Sequence, residues 1–356
     1  MRLETVRFEH GGEIDKLRRL GLEVEGLLDF SVNLNPLGPP EQLMRLLRER
    51  LDEIGRYPEA RSETLRSKLA ELLGVPGDCL IASNGSTQLI YAICRALRPR
   101  EVLIPQPTFS EYERAAVRCG ARISELLLRP EDGFEPRMDE LIDRLRRSDM
   151  AFICNPNNPT GHLLGRGLLL DLIERFPDVV FVLDEAFIDF ADRSASLASE
   201  APKLPNLVVL RSPTKLLAIP GLRLGYAVSN PQLISKLEEE IEPWSVNRLA
   251  QIAGEALPEL EGFVEDSARF VRRERGFLIE GISAIEGLHP FPSRANFLLI
   301  RSDTLGSRAI QMRLLGRGIL IRDCSNFKGL DGRFFRVAVR RREENERLLG
   351  ALREVV

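Results

Sequence analysis

In Arg211-Ser212-Pro213-Thr214-Lys215-Leu216-Leu217-Ala218-Ile219-Pro220-Gly221-Leu222-Arg223, a lysine stands three residues after a serine and eight before an arginine. The amine of Lys215 can form an imine with an aldehyde. The hydroxyl of Ser212 and the guanidinium of Arg223 can hold a phosphate. Together they are the parts needed to bind pyridoxal 5'-phosphate covalently and anchor its tail.

That cofactor needs other groups, and the chain offers a candidate for each. Asp184 closes the apolar run Phe181-Val182-Leu183. A carboxylate at the end of a buried strand is costly unless it meets a cation. The pyridinium nitrogen would be that cation, and the pairing keeps the ring an electron sink. A helix cap is the plainer role for such an aspartate. Asn158 lies in Cys154-Asn155-Pro156-Asn157-Asn158-Pro159-Thr160-Gly161, where prolines and a glycine fix a tight loop and aim the amides. It is a candidate donor to the ring oxygen. Asn84-Gly85-Ser86-Thr87 opens a helix, so its free backbone N–H groups, small Gly85 and hydroxyls can cradle a phosphate. Phe109 and Tyr112 are candidates for a ring stacked on the cofactor.

A substrate site needs its own cations. Arg322 and Arg336 fall on expected strands, and arginine captures carboxylate or phosphate with paired donors. With His10, in Glu9-His10-Gly11-Gly12, they suggest a substrate with two anionic ends. His162 and His289 have no metal-ligand spacing, and no metal is expected.

These residues must be positioned by elements. Short apolar runs at 79–82, 101–104, 150–154, 179–183 and 207–210 alternate with helical patterns, which predicts a mostly parallel α/β sheet. A strand over 28–33 leads into Leu34-Asn35-Pro36-Leu37-Gly38, and helices are expected over 13–25, 41–54, 61–73 and 87–97. After a helix-rich stretch at 231–285 containing Trp244, runs at 295–300, 319–322 and 334–339 predict a smaller α+β domain closed by a helix over 342–354.

The 356 residues suffice for two domains, and 44% hydrophobic against 29% charged content suits a globular protein with a large core. A formal charge of −3 implies no nucleic-acid partner. No apolar run approaches a membrane span, and the first residues carry no signal-peptide pattern. Cys79, Cys94, Cys119, Cys154 and Cys324 are scattered and odd in number, which suits free thiols in the cytoplasm.

Over essentially its whole length the chain resembles the fold-type I pyridoxal-phosphate enzymes. Within them it is similar to the histidinol-phosphate aminotransferase branch, and most of all to the L-threonine-O-3-phosphate decarboxylases of cobalamin biosynthesis. Beyond the cofactor motifs, the resemblance rests on His10-Gly11-Gly12, the stretch Leu28 to Gly38, Arg56-Tyr57-Pro58, Leu183 to Phe190, Pro243-Trp244-Ser245-Val246-Asn247, Ile319 to Asn326 and Arg336-Val337-Ala338. It implies the fold-type I transferase fold, a large domain with a mostly parallel seven-stranded sheet plus the smaller α+β domain. The implied division is an arm over 1–35, a cofactor-binding domain over 36–245 and a small domain over 246–356.

The resemblance also implies roles. Lys215 attaches the cofactor, Asp184 pairs with its ring nitrogen, Asn158 contacts its ring oxygen and Phe109 stacks on it. Gly85, Ser86, Ser212 and Arg223 hold the cofactor phosphate, joined by Tyr57 from the other subunit of a homodimer. Arg336 binds the substrate carboxylate, and His10, Asn33 and Arg322 bind the substrate phosphate. Two positions depart from their patterns. Phe187 stands where the aminotransferases place a tyrosine that donates to the ring oxygen, which agrees with the decarboxylases. Ser86 stands where the decarboxylases often have an acidic residue.

Overall fold

The computed structural model describes residues 11–12, 14–19, 21 and 24–356. His10 therefore lies outside the described residues. The strands are β1 (Leu28–Asp29), β2 (Leu80–Ser83), β3 (Glu101–Gln106), β4 (Arg122–Leu127), β5 (Met150–Cys154), β6 (Val180–Asp184), β7 (Leu207–Arg211), β8 (Gly225–Ser229), β9 (Leu288–Pro290), β10 (Phe297–Ser302), β11 (Ile319–Leu320), β12 (Arg322–Asp323) and β13 (Phe334–Ala338).

Seven strands form one sheet in the order β2-β8-β7-β6-β5-β3-β4. Only β8 runs antiparallel to its neighbours. Its continuous apolar runs follow from burial on both faces. Alternate residues show it: Phe181, Leu183, Leu207 and Val209 enter one core, while Val182, Val208 and Leu210 enter the core on the other side. β8 was not expected as a strand, because its run directly continues the lysine segment.

The second sheet, β12-β13-β10-β9, is antiparallel and closes over the 23-residue helix Glu261–Ser283 and the final helix Arg342–Val355. Its core also takes in Phe30, Ala186, Phe187, Phe190 and Leu216, so the segments after Asp184 and Lys215 are packed from below by this core.

Some expected elements are shorter, among them the helix expected over 13–25, which is helical over Ile14–Arg19 and has a turn at Gly21. The strand expected over 28–33 pairs only at Leu28 and Asp29, with Ile319 and Leu320. There the Asp29 carboxylate accepts from the Ser31 N–H (2.7 Å) and hydroxyl (2.6 Å), which turns the chain off the ladder. The helix expected over 41–54 ends at Glu49 and tightens into a 3-10 turn over Leu51–Gly55.

Candidate active site

β5, β6 and β7 end side by side, and the residues at their C-terminal ends open into one cavity of about 400 Å³. Lys215, Asp184, Asn158, Phe109, Asn33, Arg322 and Arg336 all line it. Ligands of open α/β sheets bind outside these carboxyl ends, where loops can carry polar groups that strands cannot.

Each side chain is held by its neighbours. Asp184, 4% exposed, accepts from the Tyr112 hydroxyl at 2.7 Å and from the Ala186 N–H at 3.0 Å. Burial raises its pKa despite those donors and nearby Lys215. Lys215 follows Pro213 in the short helix Pro213–Leu216, which begins just after Ser212. Burial, and then the positive charge of Arg223, lower the lysine pKa. Asn35 ties the opposite wall to this turn: its N–H donates to the Lys215 carbonyl (3.0 Å) and its amide to that of Leu216 (2.8 Å). Asn157 donates to the Pro107 carbonyl (2.8 Å) and accepts from the Thr108 hydroxyl (2.7 Å), which braces the loop of Asn158 against that of Phe109.

Gly85 and Ser86 start the helix Ser86–Leu97; they, Ser212 and Arg223 are not among the residues lining this cavity. Gly85 has φ +79°, and a Cβ there would lie 2.5 Å from a terminal nitrogen of Arg223. Only glycine lets that guanidinium lie across the helix start. The place joins free N–H groups to a cation, as a phosphate requires. Ser212 is buried with its hydroxyl 2.9 Å from that of Thr214. Tyr57 stands apart at 87% exposure, with its ring 5.5 Å from that of Trp244.

Arg322 and Arg336 are directly opposite one another on β12 and β13, and are 4% and 5% exposed. Like charges so placed destabilise a strand pair. Arg336 donates to the Ser31 carbonyl (2.7 Å) and to the Asn158 side-chain oxygen, and lies 5.2 Å from the Phe297 ring centre. Burial pushes its pKa down to about 10. Arg322 donates to the Asn326 side-chain oxygen at 2.8 Å and lies 5.2 Å from the Phe327 ring centre. Among the described residues, Asn33 Oδ1 and Arg336 Nε are buried polar atoms without a hydrogen-bond partner. Phe187 is buried edge-on to Phe297 (5.0 Å, 84°), on the ring that supports Arg336.

The family model for class I and II aminotransferases matches residues 25–352. The chain belongs to that family. Among class I and II aminotransferase relatives, it is 40% identical over 352 residues to the threonine-phosphate decarboxylase of Salmonella typhimurium, covering 98% of this chain and 96% of that one. Its fold matches the L-threonine-O-3-phosphate decarboxylase of Porphyromonas gingivalis with a TM-score of 0.84 at 30% identity, over 92% of this chain and 99% of the other. The histidinol-phosphate aminotransferase of Clostridium acetobutylicum matches with a TM-score of 0.88, also at 30% identity, over the same shares.

Pyridoxal phosphate is the cofactor of this family. The described residues fit it: a half-buried lysine and a buried carboxylate lining the cavity, and a glycine–arginine cradle that a Cβ would fill. Sequence reasoning missed the donors that set these groups. Tyr112 stood as a stacking candidate, whereas its hydroxyl is committed to Asp184. The Ser31 carbonyl carried no signal at all, since a backbone acceptor has no residue type. Arg211 was also passed over. It is buried, donating to Asp189 (2.6 Å) and pairing with Glu185 at 3.5 Å, and so joins the ends of β6 and β7.

Proposed function

We propose that this chain is a pyridoxal-phosphate-dependent decarboxylase that converts L-threonine O-3-phosphate to (R)-1-amino-2-propanol O-2-phosphate, a step toward cobalamin. The observation that carries the reading is the buried, cross-strand pair Arg322 and Arg336 in the same cavity as Lys215. Two guanidinium groups placed against each other cost stability, and a substrate anionic at both ends offsets that cost. The similarity to threonine-phosphate decarboxylases points the same way.

When bound, pyridoxal phosphate supplies a sink for the electron pair left on the substrate α-carbon. The rest falls to the chain's own residues. Lys215, with its lowered pKa, has a neutral amine at lower pH than an ordinary lysine, ready to bond and to carry a proton. Asp184 would balance the ring's positive charge, Asn158 would donate to the ring oxygen and Phe109 would hold the ring. Gly85, Ser86, Ser212 and Arg223 would hold the cofactor phosphate. Arg336 clamps the substrate carboxylate, while Arg322, Asn33 and His10 take its phosphate. Held at both ends by Arg336 and by Arg322, Asn33 and His10, the substrate would be oriented to lose its carboxylate rather than its α-proton. The carboxylate leaves as carbon dioxide, and Lys215 returns a proton to the α-carbon. Phe187 provides no hydroxyl on the ring-oxygen side.

The reading includes a homodimer. Leu51, Ile54, Tyr57 and Trp244 are large apolar residues exposed at 50%, 65%, 87% and 52%. A second copy would cover them and receive Tyr57 at its cofactor phosphate. It also includes a cytoplasmic location, which five free cysteines suit. Among the described residues no helix is long and apolar enough to cross a membrane. We retain the arm over 1–35, supported by β1 on β11. We place the division between the two larger units near 260 rather than 245, because Val246, Ala250, Ile252, Ala253, Leu257 and Leu260 pack in the core of the large sheet.

The test supplies purified protein with pyridoxal phosphate and offers L-threonine O-3-phosphate alone, or histidinol phosphate with 2-oxoglutarate. Carbon dioxide from the first and no amino transfer from the second is expected. The reverse pattern makes the chain an aminotransferase.

A further inference from the structure

We infer that Tyr112 is a positioning residue for Asp184: its hydroxyl holds the carboxylate where it can pair with the ring nitrogen of the cofactor. The inference rests on the proposed cofactor site and goes beyond it, because it assigns Asp184 a partner within the protein.

Tyr112 sits in the first turn of the helix Glu111–Arg118 and is fully buried. Its hydroxyl donates to Asp184 Oδ2 at 2.7 Å. Two aromatic contacts leave the ring one orientation: it is stacked on Phe152 (5.0 Å, 10°) and edge-on to Phe109 (5.6 Å, 83°). A buried phenol must place its one proton, and Asp184 takes it. The other carboxylate oxygen is held by the Ala186 N–H. Asp184 is thus fixed from two directions before any ligand arrives. The same tyrosine touches Phe109, so one helix turn couples the stacking ring to the charge that faces the ring nitrogen. A tyrosine kept only for packing would not need its hydroxyl here, and phenylalanine fills the same space.

The groups facing Asp184 are Tyr112 from its helix, Cys154 from the end of β5 and Lys215 from the turn after β7; Arg223 and Arg336 face Lys215 in turn. Removing the hydroxyl from this set leaves a carboxylate that binds its own proton more tightly and supports a charged ring nitrogen less well. A ring nitrogen with less positive charge repels the proton of the lysine-bound cofactor less. The pH at which that proton is lost then rises.

The experiment loads wild type, Tyr112→Phe and Phe152→Leu with pyridoxal phosphate, then follows the absorbance band of the lysine-bound cofactor against pH, together with kcat and KM. Tyr112→Phe is expected to move the midpoint up by about half to one pH unit and lower kcat roughly 10- to 100-fold with KM little changed. Phe152→Leu loosens the ring's packing but leaves the hydroxyl, and its midpoint should stay at the wild-type value. An unmoved midpoint in Tyr112→Phe, or an equal shift in Phe152→Leu, overturns the inference while leaving the cofactor site intact. A wild type with no such band overturns both. If Tyr112→Phe does not fold, 3-fluorotyrosine at this position, a stronger donor of nearly the same shape, should move the midpoint down, and no movement overturns the inference.

Discussion

Arg336 and Asp184 are buried charges whose costs predict how their variants behave. Arg336 is held by neutral groups, the Ser31 carbonyl, the Asn158 amide and the Phe297 ring, in a setting that pushes its pKa down to about 10. Replacing it with glutamine removes a charge-assisted clamp, so kcat/KM for L-threonine O-3-phosphate should fall about 100- to 1000-fold in steady-state assays. Asp184 gives a pH-dependent prediction. Burial raises its pKa in the folded protein, so the fold binds that proton more tightly than the unfolded chain does. The stability tied to this proton is present below the ordinary carboxylate range and is lost as pH rises through the raised folded value. Asp184→Asn should therefore raise the melting temperature of the cofactor-free protein at neutral pH, with the gain shrinking as pH falls toward about 4. Thermal unfolding across that range checks it. Lys215 and Asp184 were legible in the sequence as candidates because the residue type alone names the chemistry each could do, and the fold brings both to one cavity. The Tyr112 hydroxyl was not, because its partner is 72 positions away across the sheet and stacking rings and donors share a residue type.

The elements explain why sequence reasoning located the site as a set of short segments. The segments of Gly85, Phe109, Asn158, Asp184 and Lys215 each lie at or just after the end of a strand, and Arg223 comes just before β8, whose start pairs with the end of β2. Gly85 shows what such a junction demands. Its φ of +79° and the guanidinium lying over it leave no room for a side chain. Gly85→Ala should weaken pyridoxal phosphate binding by at least about tenfold, read by cofactor fluorescence titration, and cost about 1 kcal/mol of stability. Unchanged affinity would remove the cradle from the account. Register was the part that sequence could not supply. The runs 319–322 and 334–339 were expected as strands, but nothing in either run places Arg322 directly opposite Arg336. The turn at Ser31 was equally hidden, since it depends on the Asp29 carboxylate folding back on its own chain.

At the scale of the whole molecule, two cores meet at the site. Phe187 and Leu216 belong to the core of the smaller sheet, although their neighbours Asp184 and Lys215 are carried by the larger one. The exposed apolar residues Leu51, Ile54, Tyr57 and Trp244, the last two in ring contact, carry the account outside one chain. If Tyr57 completes the site of a second copy, a Tyr57 variant and a Lys215 variant, each inactive alone, should restore activity when unfolded and refolded together. One of the two sites in each mixed dimer would then be whole, giving about a quarter of wild-type activity from an equal mixture. No restoration would place Tyr57 outside the partner's site. The central claim, loss of a carboxylate at a site built for a doubly anionic substrate, is tested most directly with L-threonine O-3-phosphate labelled with ¹³C in its carboxyl group and no oxo acid present. The account predicts one labelled carbon dioxide for each aminopropanol phosphate formed, and its loss in Lys215→Ala. Label retained in an oxo acid, formed only when an amino acceptor is supplied, would contradict it.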